Sequence, residues 1–465
     1  MHASMVKPQD AVIVSVLAAV LALGLTLATP TMGLQAVFGF LIILVAFTSV
    51  PASLFLLIGS MLLSPEIAVG RVEGRGVGAR ELSLRVDDLL LVIIGFSWLV
   101  KTIIYRDLAL IRETPLNRPI VYYMLACVLA TLIGVIAGRV RPLTGFFFIM
   151  KYFEYFFVFF MVVNHVTTKQ QVVRLVTALL AVCFVISVYA IAQIPSGQRA
   201  SAPFEGESGE PNTLGGYLVF IMAVVMGLFL HLKSGPVRVM LVLLMGCISL
   251  ALMATLSRSS YLAAGVLVLA VAATQWRRPG VLALILLLAV VLPFAAPANV
   301  KDRVNETFFG RQYGGEITVG RVGLDLSTTE RLRSWQYVLK DWLHSPQIGR
   351  GVTGYAWADA QYVKILGETG LVGLVAFIFL IFRLWRRARE TFLAEQDPFC
   401  KGLAHGLLLG LVAMLAHGIG ANTFIIMVGD GNLTCTGSSN NCGSFGQTAT
   451  FNLTSPAGTD RKSVV

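Results

Sequence analysis

The amino-acid sequence predicts an all-α, polytopic integral membrane protein with about twelve or thirteen transmembrane helices. The chain of 465 residues is 56% hydrophobic and only 13% charged, and its mean hydropathy is +0.78. A soluble protein carries about 25% charged residues. Apolar runs of roughly 20 residues recur along the chain, and this is the length of a helix that crosses a bilayer. Because the runs are continuous rather than short and alternating, they exclude a transmembrane barrel of strands.

Thirteen apolar runs are candidate membrane spans, and the second and third are short enough to form one broken helix. We expect residues 1–426 to form a single membrane domain with a long extramembrane loop at about residues 297–358. The polar start, Met1–Asp10, leads into the first run without a small-residue cleavage site and therefore predicts a signal anchor. The runs cover residues 11–29, 33–48, 51–64, 88–104, 119–137, 145–164, 172–193, 213–232, 237–254, 260–274, 280–296, 359–382 and 402–420.

The end of the chain differs from the rest. After Ile426 the sequence turns abruptly into a polar segment, residues 427–465, which is rich in Ser, Thr, Asn and Gly. This segment has no hydrophobic periodicity, so we expect it to be disordered or non-native and assign it no function.

The basic residues of the short loops predict the orientation of the spans. In membrane proteins the cytoplasmic loops carry an excess of Lys and Arg. Placing the N-terminus inside puts the basic residues of six segments on the cytoplasmic side, and this agreement supports the number of spans. These residues are Lys7, Lys101, Arg106, Arg112, Arg118, Lys169, Arg174, Lys233, Arg238, Arg277, Arg278, Arg383, Arg386, Arg387 and Arg389.

Arginines also lie on the opposite side, against this bias, and seven of them are candidate site residues. One explanation is salt bridging, because the long loop holds eight basic and six acidic residues. The other is an anion site that faces outward, and we favour it because arginine is the usual residue for bidentate contacts with phosphate. The net charge of +11 therefore does not require a nucleic-acid partner. The seven are Arg139, Arg141, Arg199, Arg258, Arg331, Arg333 and Arg350.

The long loop is predicted to contain one helix. Ser327 and Glu330 form a capping-box pattern in front of an amphipathic run. Its apolar residues share one face, which suits a helix at the membrane surface or an ordinary packed loop helix. In the turn-rich segment that follows, glycines beside Arg350 can present backbone amides to a phosphate. The apolar residues of the helix are Leu332, Trp335, Leu339 and Trp342.

Charged residues also occur inside predicted spans. Lys151 and Glu154 are three residues apart in an aromatic span, so they share a helix face, either as a structural ion pair or beside a polar cavity. A second polar face lies near the start of the span at 359–382, where it lines a cavity or pairs with neighbouring helices. That face contains Gln361, Lys364 and Glu368.

Histidine and cysteine indicate little specific chemistry. His344 lies in the long loop and His417 near the outer end of the last span, and a lone histidine is more often structural than a catalytic base. The cysteines are scattered, without CxxC or zinc-ligand spacing, so no metal and no cofactor are predicted.

Six motifs follow one another in a fixed order along the chain. They are Pro211-Asn212-Thr213-Leu214-Gly215, Leu256-Ser257-Arg258-Ser259-Ser260-Tyr261, Arg331-x-x-x-Trp335, Gly349-x-Gly351, Asp359-x-x-Tyr362 and Glu368-x-Gly370-Leu371-x-Gly373. No single motif is decisive, but their order and the placement of the long loop resemble the O-antigen ligase and O-antigen polymerase superfamily of bacterial inner-membrane glycosyltransferases. The resemblance extends over about residues 85–426.

The resemblance implies a GT-C-type helical fold in the bacterial inner membrane with its active site facing the periplasm. Such enzymes transfer a glycan from an undecaprenyl-diphosphate carrier to an acceptor hydroxyl without a metal or nucleotide sugar. Arg258 and Arg331 match the arginines of the family best, and arginines there would stabilise the diphosphate leaving group. The implied partners are the diphosphate-linked donor, a glycan or lipid acceptor, the bilayer and a chain-length regulator protein.

The expected site has three catalytic residues and a wider substrate-binding set. Ligases that load glycan onto the lipid A core often show His-Asn where this chain has Asp359-Ala360, which favours a polymerase of exopolysaccharide or O-antigen. Asp359 is then the expected base, unless it only caps a helix. A ligase of the same superfamily is the alternative, and a transporter or flippase with inverted repeats and broken helices is the second. The catalytic residues are Arg258, Arg331 and Asp359, and the substrate-binding residues are Arg139, Arg141, Arg199, Arg333, Arg350, Tyr362, Glu368, Lys151 and Glu154.

Overall fold

A computed structural model gives the fold of the protein. It describes residues 50–63, 66–72, 80–85, 91, 94–95, 113–196, 199–202, 210–278, 280, 318–319, 322–323, 326–355 and 360–423. The predicted spans 11–29 and 33–48, most of the predicted spans 88–104 and 280–296, Asp359 and the polar tail lie outside these residues.

Helices dominate the described part of the chain. They are α1 (Val50–Leu63), α2 (Asn117–Ile136), α3 (Pro142–His165), α4 (Lys169–Ala192), α5 (Pro211–His231), α6 (Gly235–Ala254), α7 (Arg258–Thr274), α8 (Leu326–Trp342), α9 (Gln361–Ala394) and α10 (Pro398–His417). Seven of them, α2 to α6 together with α9 and α10, are long and apolar enough to cross a membrane, and α7 is a shorter apolar helix. This confirms the predicted all-α, polytopic membrane fold.

Two small hairpins, which the sequence did not predict, accompany the helices. Strands β1 (Glu66–Val72) and β2 (Arg80–Arg85) pair antiparallel within a segment that was expected to be an outward loop. Strands β3 (Thr318–Val319) and β4 (Val322–Gly323) form a second, minimal pair in the long loop. Strands of two to seven residues are too short for hydrophobic periodicity to separate them from loops, so hydropathy alone does not reveal these hairpins.

The bounds of two helices differ from the prediction. Helix α9 continues beyond residue 382 to Ala394. The added residues are rich in Arg and Glu, which favour helix, and they form an ion pair within the helix, since Arg386 Nε donates to Glu390 Oε1 at 2.9 Å. Helix α8 begins at Leu326, so Ser327 already lies inside it rather than capping it. Its most buried apolar residue is Val338, whereas Leu339 is largely exposed.

The centre of the bundle is the contact between α5 and α10. Glycines at 227, 402 and 406 bring the two backbones together, since a Cβ at Gly227 would overlap backbone atoms of Gly402 and Gly406. Small residues of this kind are the usual means by which membrane helices approach closely. The buried side chains of α5, among them Leu214, Leu218 and Leu228, extend this core towards its other neighbours.

Helix α9 is broken at Gly370, which has φ +66° and ψ −165°. The segment that follows α8 fills the break. The amides of Leu371 and Val372 donate to Pro346 and Gln347 oxygens at 2.9 and 3.1 Å. In the other direction, the amides of the next turn of that segment donate to the last carbonyls before the break. These bonds join Arg350 to Gly367 at 3.0 Å and Gly351 to Glu368 at 2.8 Å. Backbone groups that a broken helix leaves without helical partners are thus satisfied.

The helix ends form two separate faces of the bundle. At the first, here called the loop end, residues 137–141, 193–196, 199–202, 255–257, 343–355, 360 and 418–423 meet, as shown by the bonds Ala200 N to Ala254 O (2.9 Å) and Gln361 N to Gly418 O (3.0 Å). At the second, here called the basic end, Lys169 pairs with Asp397 and Arg383 approaches the carbonyl of Pro115 at 3.5 Å. This is the two-sided arrangement that the charge pattern predicts.

Candidate active site

A buried hydroxyl-rich network lies at the loop end, where α5, α7 and α10 meet. Ser257 Oγ donates to Asn212 Oδ1 at 2.7 Å, and Ser260 Oγ donates to Ser257 Oγ at 2.7 Å. Ser259 Oγ lies 3.2 Å from the same Ser257 oxygen. Asn212 in turn donates to Glu210 Oε1 at 3.2 Å. The motifs Pro-Asn and Ser-Arg-Ser-Ser are therefore joined in space, although 44 residues of sequence separate Asn212 from Ser257.

His417 connects this network to the end of α10. Its side chain is only 2% exposed. Nε2 lies 3.2 Å from Ser260 Oγ, and Nδ1 lies 2.7 Å from Thr423 Oγ1. Gly216 of α5 faces the imidazole ring, and a Cβ at that position would lie 3.0 Å from the ring carbon Cε1. The absence of a side chain at residue 216 therefore makes room for the histidine.

Local backbone features explain why these side chains converge. Ser257 caps α7, since its Oγ accepts from the amide of Ser260 at 3.4 Å. The residue before it, Leu256, has φ +48°, a conformation that residues with side chains rarely adopt and that clusters at functional sites. Pro211 occupies the first turn of α5, where its missing amide is no loss. Two helix N-termini, each with a positive partial charge, thus point to the same place.

Arg258 and Arg331 approach the network from different helices. Arg258 is the first residue of α7 and lies between the networked serines 257 and 259. A Cβ atom placed on Gly420 would lie 3.8 Å from Arg331 Nη1 of α8 and 3.1 Å from Ser259 Cβ. Arg331 and Ser259 are therefore close to each other at this glycine. The two arginines that best match the resemblance are therefore neighbours of the same buried cluster. Residues 258 and 331 are far apart in the sequence, and only the fold brings them together.

Arg199 has a structural contact at the loop end. Its Nε donates to the carbonyl of Thr255 at 3.2 Å, beside the bond between Ala200 and Ala254. It therefore holds residues 199–202 against the turn that precedes Ser257. A role in substrate binding would be additional to this contact.

A second arginine group surrounds the segment that fills the break in α9. Arg350 pairs with Asp341, and its guanidinium lies 5.4 Å from the centre of the Tyr355 ring. Tyr355 also donates to Asp341, and burial together with this hydrogen bond raises the pKa of Tyr355. Arg139 Nη1 donates to Ser345 Oγ at 3.2 Å, whereas Arg141 is exposed where α3 begins.

The glycines beside Arg350 serve packing rather than an open phosphate cradle. Gly349 and Gly351 have φ of +73° and +94°, and a Cβ on Gly351 would lie 3.0 Å from the carbonyl of Ala130. Their amides and that of Val352 donate to groups of the protein itself, the last to Thr131 Oγ1 at 3.1 Å. Because these amides are already used, the structure does not support the expected backbone contact with phosphate.

Tyr362 and Glu368 hold α9 in place. Tyr362 Oη donates to the carbonyl of Leu415 at 2.6 Å, which ties α9 to α10. Glu368 is 4% exposed and accepts from the amide of Thr353 at 3.0 Å. Both contacts are structural, and a role in substrate binding stays a prediction for these two residues.

Three further expected site residues lie on α3 and α8. Arg333 is exposed on α8, and Lys151 and Glu154 lie half-buried on α3. Their roles stay predictions, as does that of Asp359. In the part of the chain that the structure describes, no group of three His, Cys, Asp or Glu side chains is arranged to hold a metal ion.

Sequence reasoning missed the composition of the network. It weighed His417 only as a lone histidine, and it used Asn212, Ser257 and Ser260 only as parts of motifs. The hydrogen bonds that join them cross between helices, so no local pattern reveals them. A small cavity with room for about one water molecule borders the network between α5 and α10. His417, Asn212 and Thr423 are among its lining residues.

Comparison with known proteins agrees with the motif order. Residues 241–378 match the family model described as O-Antigen ligase. This range begins within α6 and ends within α9, so it includes Arg258 and Arg331 but not Asn212 or His417. No curated protein matches the chain. The match confirms, over residues 241–378, the resemblance of this chain to the O-antigen ligase and polymerase superfamily.

Proposed function

We propose that the protein is a membrane glycosyltransferase that polymerises glycan units carried on undecaprenyl diphosphate, as O-antigen and exopolysaccharide polymerases do. The donor is the diphosphate-linked oligosaccharide, and the acceptor is a hydroxyl of another glycan. The reaction takes place at the loop end, on the periplasmic side of the bacterial inner membrane. A chain-length regulator protein is a proposed partner.

One observation carries this proposal. Within the matched range, Arg331 Nη1 lies close to Ser259 of the buried polar cluster, and Arg258 lies in the chain between two serines of that cluster. Arginine binds diphosphate through paired, charge-assisted hydrogen bonds. A polar cluster at the ends of membrane helices is reachable from the headgroup region, where a lipid-linked diphosphate lies. The arrangement therefore suits a lipid-linked anionic leaving group.

The geometry suggests how the transfer would be stabilised. When the bond between the anomeric carbon and the phosphate oxygen breaks, the electron pair stays on the diphosphate, whose negative charge grows. Arg258 and Arg331, together with the N-termini of α5 and α7, would place positive charge there. Such groups accelerate the reaction because they are already oriented when the charge develops.

The acceptor hydroxyl must lose a proton during transfer. Asp359 is proposed for this step from the sequence, as a carboxylate that replaces the His-Asn pattern of lipid A core ligases. It is two residues before Gln361, whose amide binds the carbonyl of Gly418 at the loop end.

A complementation experiment tests the proposed function. A host that lacks its own polymerising enzyme would receive the wild-type chain, Arg258→Ala or Arg331→Ala, with membrane levels measured throughout. We expect the wild type to restore a ladder of glycan lengths and both variants to lose it. Arg386→Ala is the matched control, because Arg386 pairs with Glu390 on the cytoplasmic extension of α9, towards the basic end. A ladder retained in both arginine variants would contradict the proposal.

The same experiment separates the alternatives. Glycan transferred as single units, without a ladder, would indicate a ligase of the same superfamily. The break of α9 at Gly370 is the feature that a transporter would share, since ion-coupled transporters use broken helices. Here, however, the segment 345–355 occupies backbone groups at the break, such as the carbonyl of Gly367 and the amide of Leu371. The break therefore suits the anchoring of a loop better than the binding of an ion.

A further inference from the structure

We propose that His417 is the base that accepts the proton of the acceptor hydroxyl, through its Nδ1 atom. This inference rests on the proposed function and deepens it, because it assigns the proton-accepting step to a residue of the described network. It differs from the expectation drawn from the sequence, which gives that step to Asp359.

The hydrogen bonds of the network fix the tautomer of His417. The hydroxyl proton of Ser257 goes to Asn212 Oδ1, and that of Ser260 goes to Ser257 Oγ. Ser260 Oγ is therefore left as an acceptor towards the imidazole, so Nε2 carries the proton and donates to it over 3.2 Å. Nδ1 then presents its lone pair, and the hydroxyl of Thr423, which has Nδ1 at 2.7 Å and the carbonyl of Ala421 at 3.4 Å as possible acceptors, donates to the nearer Nδ1.

The cavity beside the network gives a substrate hydroxyl an approach to the Nδ1 side of His417. His417 and Thr423 both line the small cavity between α5 and α10. A sugar hydroxyl that enters there and displaces the Thr423 hydroxyl would take over its hydrogen bond to Nδ1. A base whose other nitrogen is held by an oriented partner is the usual arrangement in enzymes that activate hydroxyl groups.

The position relative to the arginines suits the reaction. Arg331 lies close enough to His417 to interact with it electrostatically, and Ser259 and Ser260, which follow Arg258 directly, belong to the network. The acceptor hydroxyl and the diphosphate would thus be bound on adjacent sides of one cluster. Proximity of this kind is what a displacement at the anomeric carbon requires.

The step balances as follows. The O–H bond of the acceptor breaks and its proton moves to Nδ1 of His417, while the acceptor oxygen forms a bond to the anomeric carbon. The bond from that carbon to the phosphate oxygen breaks, and its electron pair leaves with the lipid diphosphate. His417 later releases the proton to solvent, which restores the starting state.

The protonation of His417 is influenced by charged and titratable groups from each side. Arg331 approaches from α8 and Arg258 from the start of α7. Glu210 precedes α5 and is connected through Asn212, and Tyr217 lines the same cavity. Any of these groups can move the pH at which His417 titrates, so the experiment compares the shape of pH profiles between variants rather than a single pH value.

The test uses the purified full chain in lipid nanodiscs. Membranes of the native host with its own copy deleted supply the accumulated diphosphate-linked donor and the acceptor, and release of free lipid diphosphate is measured against pH. His417→Gln retains hydrogen-bonding groups but does not accept a proton in this range. We expect kcat to fall about 100-fold or more, KM for the donor to stay similar, and the acidic limb of the pH profile to disappear.

His405→Gln is the matched control. His405 lies on the same helix, is fully buried and has both ring nitrogens within 3.2 Å of partners, His231 and Thr274. It is twelve residues away, about 18 Å along the helix axis. We expect this variant to keep the acidic limb, even where stability is reduced. Asp359→Asn is also expected to keep it.

Several outcomes would overturn the inference. If wild type transfers glycan and His417→Gln keeps both rate and acidic limb, His417 is not the base, and the proposed function stands. If Asp359→Asn loses the limb and His417→Gln retains it, the base is Asp359. If wild type releases no lipid diphosphate, the proposed function fails and the inference fails with it. If His417→Gln does not insert into the membrane at wild-type levels, Ser260→Ala is measured in its place, because it removes the hydrogen-bond partner of His417. We expect its kcat to fall about tenfold at unchanged KM. An unchanged kcat would refute the proposal.

Discussion

Replacing Gly370 by alanine should undock the segment that fills the break in α9. Gly370 has φ +66° and ψ −165°, a combination that is essentially restricted to glycine. Forcing a residue with a side chain into it costs about 1–3 kcal/mol. In addition, the new Cβ would overlap the carbonyl of Gln347, which is backbone and cannot rotate away. We therefore expect Gly370→Ala to lower the free energy of unfolding by about 3 kcal/mol or more.

The effect can be measured with the cysteines of the protein. Cys127 and Cys183 are free and fully buried, so a thiol-reactive fluorophore reports their exposure when purified protein is heated. Gly246→Ala is the matched control, because Gly246 lies inside α6 with nothing within 4 Å of its Cβ position. Alanine in a helix interior should stabilise slightly, by about 0.5–1 kcal/mol relative to glycine.

The reasoning would be refuted by equal melting curves for the two variants. It would also be refuted if Gly370→Ala were destabilised yet the amide of Arg350 kept its bond to the carbonyl of Gly367, because the segment would then still be docked in the break. Cross-linking between cysteines introduced at exposed positions of the segment and of α2 would measure the docking of the segment independently.

Three further predictions follow from single contacts. Thr131→Val removes the acceptor for the buried amide of Val352 and should cost about 1–3 kcal/mol of stability, measured by the same thermal assay. The side-chain hydrogen bond from Lys169 lowers the pKa of Asp397 to about 2, from an ordinary value near 3.8, so the ion pair should stabilise the fold above pH 4 and lose its effect as pH falls through about 2. The melting-temperature difference between wild type and Lys169→Ala should therefore shrink as the pH falls from 4 to about 2. Ser257→Ala removes both the cap of α7 and a network hydrogen bond, and it should cost about 1–2 kcal/mol and lower the rate of lipid diphosphate release.

Each of these has a control within the chain. Thr177→Val removes an exposed hydroxyl that bonds only to the helix carbonyl of Val173, so stability should hardly change. Arg386→Ala removes an exposed pair that likewise lowers the pKa of its carboxylate, Glu390, but lies within one helix, so its effect on the melting temperature at low pH should be smaller than that of Lys169→Ala, whose pair joins α4 to α10. Ser249→Ala, in the middle of α6, should leave the rate of lipid diphosphate release unchanged. A stability loss in Thr177→Val equal to that in Thr131→Val would show that burial is not the cause.

Much of the fold was predictable because hydrophobic length is a local property. The predicted span 213–232 became α5, Pro211–His231, and the predicted span 172–193 became α4, Lys169–Ala192. A bilayer requires each span to satisfy its own backbone hydrogen bonds, so the composition of about twenty successive residues is sufficient to identify it. The break at Gly370 was not predictable in this way, because its hydrogen-bond partners come from residues 346–351.

The candidate site was only partly predictable. Arg258 and Arg331 were identified from residue type, position and motif order, and in the structure Arg331 Nη1 lies near Ser259, the residue that directly follows Arg258. Arg350 was expected beside an open backbone cradle, but its amide and guanidinium are engaged with Gly367 and Asp341. A sequence pattern shows which groups are available for binding, whereas only a structure shows which of them are already used within the protein.

By itself, the sequence determined that this chain crosses a membrane many times, which of its loops share a side, and which family its motifs resemble. These properties depend on composition, charge and the order of residues along the chain. Only the tertiary structure decided that His417 meets Ser260, and that Ser257 meets Asn212. Such contacts form between the ends of different helices, where register and crossing angle set the partners, and neither is encoded in any local stretch of sequence.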